Sequence, residues 1–222
     1  VVDPASKPTY SVFTINYNAV KVKAYAVNPE DWPEYLGYLE DASRSDEHRD
    51  PPGRKVLDEK VPIESVPDTL VETPIDLTRA LTGGRGHVVL VIEADESLVQ
   101  SLRRQGPKTE INVWVQVTRI GLDAFVDGQH MIAWANSLVD GSPLRGVDLT
   151  LFPGRVSGKT GSDGLARLAL PTVAEDTSAY LVARLGNDSA ILPESTYWWQ
   201  RGWQAREPGA ECRWYVFDDR QM

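Results

Sequence analysis

MIAWANSLVDGSPLRGVDLTLFPGRVSGKTGSDGLARLAL, residues Met131 to Leu170, alternates short apolar runs with turns. Asp140-Gly141-Ser142-Pro143 separates IAWANSL from VDLTLF, and Ser162-Asp163-Gly164 separates VSGKT from LARLAL. Asp-Gly suits a tight turn because glycine tolerates positive φ and the aspartate side chain can bond its own backbone. Three or four strands in so short a span, with no helical period between them, predict an antiparallel sandwich.

Outward from this stretch, two segment pairs stand at equivalent places. His87 to Ile92 is followed by Ile111 to Val117, and Tyr180 to Leu185 by Cys212 to Phe217, with Trp114 and Trp214 in corresponding positions. An offset of about a hundred residues is the size of an Ig-like domain. The expected fold is therefore all-β, with two tandem Ig- or fibronectin-like sandwiches over residues 1–120 and 121–222. In the first half, Tyr10 to Tyr17 and Ala19 to Val27 read as strands, and Val20, Val22, Ala24 and Ala26 share one face. Asn28-Pro29-Glu30-Asp31-Trp32 reads as a helix start, with Asn28 as cap and acids near the positive end. Trp32, Tyr35, Leu36 and Leu39 fall at helical spacing, giving a short inserted helix near 29–40. Asp41 to Gly53 reads as a polar, proline-rich surface loop. Two further strands are expected around Lys55 to Val61 and Val71 to Leu77.

Composition narrows the function classes. The 222 residues are 41% hydrophobic and 25% charged, with a net charge of −9 spread along the chain. Such a chain offers no concentrated basic surface to displace phosphate counterions, so neither nucleic acid nor an anionic membrane is the expected partner. No run reaches the roughly 18 apolar residues of a membrane-spanning helix. Cys212 is the single cysteine, so no intrachain disulfide can form. The chain starts at Val1 without a signal peptide and reads as a mature or excised fragment.

Candidate chemistry is sparse, and the expectation is no catalytic, cofactor-binding or metal-binding residue. His48, His87 and His130 each lack a second histidine or cysteine at ligand spacing. Gly83-Gly84-Arg85-Gly86 lacks the lysine and hydroxyl residue of a phosphate loop and reads as a turn. Asp140 and Asp163 fit turns rather than a calcium loop, and Asp218-Asp219 would point to opposite faces of a strand. Asn187-Asp188-Ser189 matches a glycosylation sequon. Tyr197-Trp198-Trp199-Gln200-Arg201-Gly202-Trp203 is an aromatic cluster in a loop, either packed at a domain edge or forming a sugar platform.

The order S-L-x-D-G-x-P-L-x-G-V-x-L-x-L over Ser137 to Leu151, followed by T-x-S-D-G-x-A-x-L over Thr160 to Leu168, resembles a macroglobulin domain of the bacterial α2-macroglobulins. SVFTINYNAVKVKAYAVNPEDWPEYL, Ser11 to Leu36, resembles the strand-strand-helix entry of such a domain. WYVFDDRQM at the end resembles the strand that leads into the next one. The resemblance implies two consecutive scaffold domains, not an enzyme, within a broad-spectrum inhibitor that entraps proteases. It also implies a periplasmic location, in a parent often anchored to a membrane, and partners that are neighbouring domains of the parent and proteases met by the full-length protein. Cys212-Arg213-Trp214-Tyr215 has no glutamine three residues on, so Cys212 does not match the family's thioester cysteine. A tandem Ig-like adhesin or carbohydrate-binding module is the rival reading, which the Trp198, Trp199 and Trp203 loop would discriminate.

Overall fold

The computed structural model describes residues 1–2, 7–44, 50–95, 110–172, 178–194 and 203–205. The first group of elements is β1 (Thr9–Ile15), β2 (Ala19–Val27), helix α1 (Trp32–Arg44), β3 (Arg54–Pro62), β4 (Leu70–Asp76), β5 (Gly86–Ala94) and β6 (Glu110–Val117). β1 pairs with β4, and β3-β2-β5-β6 form a four-stranded sheet, all antiparallel. The second group is β7 (Ile120–Val126), β8 (His130–Ser137), β9 (Asp148–Phe152), β10 (Val156–Lys159), β11 (Leu165–Ala169), β12 (Tyr180–Leu185) and β13 (Asp188–Pro193). These form a three-stranded sheet, β11-β8-β7, and a four-stranded one, β10-β9-β12-β13. No described sheet takes strands from both groups. The tandem sandwich expected from the turn grammar is the observed fold.

Each sandwich closes over its own core. In the first, Val12 of β1 and Ile75 of β4 meet Val20, Val22, Val88, Leu90, Ile92 and Val115 of the four-stranded sheet. In the second, Met131 and Ala133 of β8 and Leu168 of β11 meet Leu149, Leu151, Leu181 and Ala183. Alternation places these side chains: Val20, Val22 and Ala24 are buried on one face of β2, while Lys21 lies exposed on the other.

Tyr25, on that second face, is buried as well, because α1 covers it. Tyr35 and Tyr38 of the helix pack with Tyr25, Val27, Val89 and Val91, with Trp32, Leu39 and Trp114 alongside. The Asp31 carboxylate accepts from the Asn28 N–H at 2.8 Å, the reciprocal half of a capping box. Tyr38 Oη donates to Asn112 Oδ1 at 2.9 Å and Tyr35 Oη to the Asn112 carbonyl at 3.3 Å. Burial pushes the Tyr35 phenol up to about 12, so these hydroxyls stay donors across the working range.

Two expectations need correction. The helix does not stop at residue 40 but runs to Arg44, and the segment read as an unpacked loop is anchored at its far end. Asp50 accepts from Tyr25 Oη at 2.8 Å, and Pro51 and Pro52 are buried; residues 45–49 lie outside the described set. β12 pairs with β13, a strand the sequence reading did not mark; the expected strand at 212–217 lies outside the described residues. Leu185 pairs with Asp188 across a two-residue turn, Gly186-Asn187, with Gly186 at φ 59°. That left-handed conformation needs glycine. The sequon there is therefore part of a hairpin, with Asp188 buried.

The Asp163-Gly164 turn shows how strictly one glycine is fixed. Gly164 has φ +75°, and a Cβ there would lie 2.6 Å from the Ala135 carbonyl oxygen and 2.9 Å from Pro143 Cβ. Strain and collision act together, so Gly164→Ala should destabilise the chain by roughly 2 kcal/mol. Urea denaturation followed by circular dichroism checks this; a change within error would show that the β10–β11 turn can relax.

Candidate functional site at the junction of the sandwiches

Three of the six buried polar side chains among the described residues, His87, Thr118 and Asp188, lie where the two sandwiches meet. β6 ends at Val117 and β7 begins at Ile120, leaving Thr118 and Arg119 as the connection. Asp188, the first residue of β13, is only 4% exposed, and its carboxylate grips that connection. Oδ1 accepts from Thr118 Oγ1 at 2.8 Å, and Oδ2 accepts from the Arg119 backbone N–H at 3.0 Å. Arg85, from the turn before β5, reaches Oδ2 with Nη1 at 3.4 Å. Thr118 Oγ1 in turn accepts from the Ile120 N–H at 3.1 Å. A carboxylate this dry is tolerated only with such a set of donors.

Gln116 adds a strand-like contact. Its side-chain Nε2 donates to the Ile191 carbonyl at 3.0 Å, while the Ile191 N–H donates to its Oε1 at 2.9 Å. The amide thus satisfies both backbone groups of a β13 residue, as a neighbouring strand would. Apolar packing lies beside it: Tyr180, Val182 and Ile191 bury against Trp32, Trp114 and Phe152. The Trp32 and Trp114 rings meet edge to face at 5.4 Å and 78°, a favourable quadrupole arrangement. Glu30 and Arg184 form an exposed ion pair at the rim.

His87, 4% exposed, spans the same boundary. Its Nδ1 accepts from Trp114 Nε1–H at 3.2 Å, and its Nε2 lies 3.1 Å from both the Ser189 carbonyl oxygen and Ser189 Oγ. Indole nitrogen is a donor only, so the imidazole carries its proton on Nε2 and donates toward Ser189. A serine beside a histidine suggests a nucleophile and base, but here the base nitrogen is already protonated. The pair therefore cannot take the hydroxyl proton as a hydrolytic dyad does. Burial is the main cause that lowers His87 to about 4, and Arg184 acts in the same direction against the raising effect of the Ser189 carbonyl.

An open cleft of about 670 Å³ adjoins the junction, with Arg54, Gly83, Arg85, His87 and Asn187 among its walls. Gly83 and Gly84 have φ of 62° and 76°, as expected of a turn. His130 stands apart at the start of β8, near Asp127 and Arg167, and His48, Cys212 and Asp218-Asp219 lie outside the described residues. Asp140 bonds the Ser142 N–H and hydroxyl, and Asp163 the Leu165 N–H, both as turn residues. Among the described residues no three His, Cys, Asp or Glu side chains come together as metal ligands. Trp203 packs against the second core and donates its backbone N–H to Glu194 at 2.9 Å; Trp198 and Trp199 are not described. The sequence reading missed the junction because its residues are spread over the chain. The one local signal was the Gly-Asn dipeptide that makes Asp188 a strand start.

Two tandem sandwiches with a helix on the first define the class, and known proteins share it. A fragment of native α2-macroglobulin from Escherichia coli spanning domains MG0-NIE-MG1 is 17% identical, with a TM-score of 0.57 over 84% of this chain and 58% of that one. The NIE-MG1 fragment of the same protein is 18% identical, with a TM-score of 0.57 over 82% of this chain and 86% of that one. At this identity the likeness is one of fold. In sequence, the chain is 26% identical over 269 aligned positions to a Dictyostelium discoideum protein, Circularly permutated Ras protein 2. The match covers 99% of this chain but only 7% of that protein. No protein-family model matches the chain.

Two measurements probe the junction. His87 is held neutral, with its folded value near 4 below the ordinary 6.5. The unfolded state then binds more protons between those limits. Stability is full above pH 6.5 and falls as the pH drops toward 4, by on the order of 3 kcal/mol. Urea midpoints across that range should show the fall, and His87→Gln should flatten it; equal slopes in both proteins would refute the assignment. Asp188→Ala, which leaves the connector donors unpaired and Arg85 without its partner, should cost roughly 3 kcal/mol. A cost below 1 kcal/mol would show that the clamp carries little.

Proposed function

We propose that the chain is a pair of scaffold domains, dividing near Ile120, from an α2-macroglobulin-like inhibitor that entraps proteases. The observation that carries this reading is the shared tandem fold, which extends over 84% of the chain. The junction supports it. Connector, histidine, glutamine and tryptophan contacts join the two sandwiches at many points, as suits domains that transmit shape rather than perform chemistry. The sequence relative contributes a coarser point: a stretch of this length sits there within a far longer polypeptide. Its Ras name is not carried over, since among the described residues Gly83 to Gly86 forms a turn before a strand and Gly158-Lys159 lies in strand β10 rather than opening a helix.

On this reading the partners are neighbouring domains of a longer chain, with proteases engaged only by the whole protein. An extracytoplasmic setting, the periplasm in a bacterial host, is part of the proposal, as is the absence of any cofactor or catalytic role. Trp203 favours this over a sugar-binding module, because its ring is spent on the second core instead of a platform. Fold by itself leaves function open, so the test is functional. The isolated chain should leave trypsin fully active toward both small chromogenic and large protein substrates. The longer natural protein should block large substrates selectively after bait cleavage. Inhibition by the isolated chain at one-to-one stoichiometry would replace entrapment with direct binding, and a long form that spares large substrates would remove the inhibitor reading.

A further inference from the structure

The two sandwiches correspond strand for strand, and the correspondence leaves one place unmatched. β1 and β4 answer to β8 and β11, and β3-β2-β5-β6 to β10-β9-β12-β13. In the second sandwich β7 lies along the other edge of β8, with Leu122 opposite Ala135, Ala124 opposite Ala133 and Val126 opposite Met131. In the first, nothing among the described residues pairs with that edge of β1. The chain's own Val2 lies elsewhere: it bridges Val117 in parallel, on the edge of β6 in the opposite sheet.

β1 also carries none of the usual protections in its own sequence. Exposed strand edges are ordinarily blunted by charge, proline or extreme shortness. Among the described edge strands, β3 carries Lys55, Asp58, Glu59 and Lys60, β4 carries Glu72 and Pro74, and β11 carries Arg167, while β10 is four residues long. β1, TYSVFTI, has seven residues with no charge and no proline. Its outer face exposes Phe13 at 58% and Ile15 at 49%, with Leu70 opposite Ile15 at 60%. On its inner face Thr14 Oγ1 is buried and has no partner among the described residues.

The geometry points to the edge of β1 as a docking site for an extended strand from outside this chain. That strand would run antiparallel to β1 over about seven residues, with small or medium apolar side chains at alternate positions, as β7 does beside β8. Main-chain hydrogen bonds to the Thr9–Ile15 edge would supply affinity, and inward side chains beside Tyr10, Val12 and Thr14 would supply selectivity. The inference is independent of protease entrapment, since any long protein containing this sandwich could provide such a strand.

The test titrates the intact ¹⁵N-labelled chain with a synthetic peptide of residues 119–127 (RIGLDAFVD), the strand that fills the equivalent place. The chain should be monomeric by light scattering, with rapidly exchanging β1 amides whose edge-facing members become protected on saturable binding. A peptide carrying Leu122→Asp, which turns a carboxylate inward, should bind about tenfold more weakly or worse. Phe13→Lys in the protein should weaken binding several-fold while circular dichroism stays unchanged. Absence of saturable shifts at Thr9–Ile15, or shifts confined to other strands, would overturn the proposal. A dimer with protected β1 amides would assign the edge to a second copy, and a monomer with β1 already protected would assign it to this chain; either outcome overturns it.

Discussion

Removing a carboxylate from water costs several kcal/mol unless charge and hydrogen bonds compensate, and Asp188 is nearly dry. Among the described residues its compensation comes from the connector and the first sandwich: the Thr118 hydroxyl, the Arg119 amide and the Arg85 guanidinium. The arrangement works in both directions. The connector would otherwise carry an unsatisfied amide at the point where two sheets end, and β13 would begin with an unpaired charge. Because Asp188 also starts the strand whose Ile191 bonds Gln116, placing one carboxylate sets the register between the sandwiches.

That register brings two hydrophobic layers into contact. A four-stranded sheet has two faces, and each sandwich core uses only one. In the first, the second face is closed by α1 through Tyr35 and Tyr38; in the second, it is closed through Tyr180, Val182 and Ile191. Trp32 and Trp114 belong to both layers, so the helix that seals one sandwich also offers the surface on which the other rests. His87 sits within this contact as a neutral donor and acceptor, its tautomer fixed by the Trp114 indole. A protonated ring would bring two donors face to face at Nδ1.

Much of the architecture was legible because it is written in local chemistry. The Asp-Gly turns at 140 and 163, the period-two pattern of β2 and the Asn28-Pro29 helix start all act within a few residues. Each appears where its local preference places it. What escaped was non-local. Helix α1 extends to Arg44 even though Asp41 and Ser43 look like loop residues, and Tyr38 is buried although Leu36 and Leu39 marked the expected face. The sheet beneath offers Asn112 as a partner for the phenol, which no helical period reveals. Among histidines, nothing in the neighbours of His87 distinguishes it from His130, since its partners lie 27 and 102 positions away.

The nature of the junction bears on what a tandem like this can do. Interfaces between domains of one chain are often small and polar, and then allow relative motion. Here a buried ion cluster, a side-chain amide that imitates a strand, and an aromatic layer are stacked along one boundary, with only two residues of connector. Moving one sandwich against the other would expose Asp188 without its donors, separate Trp32 and Trp114 from Val182 and Ile191, and strip His87 of Ser189 at once. Those costs fall together rather than in sequence, so the junction resists small displacements as a unit. A scaffold that must pass a displacement from one end to the other needs that property, and so does an adhesin under load. A junction of this stiffness couples the two sandwiches mechanically, whichever function the pair serves.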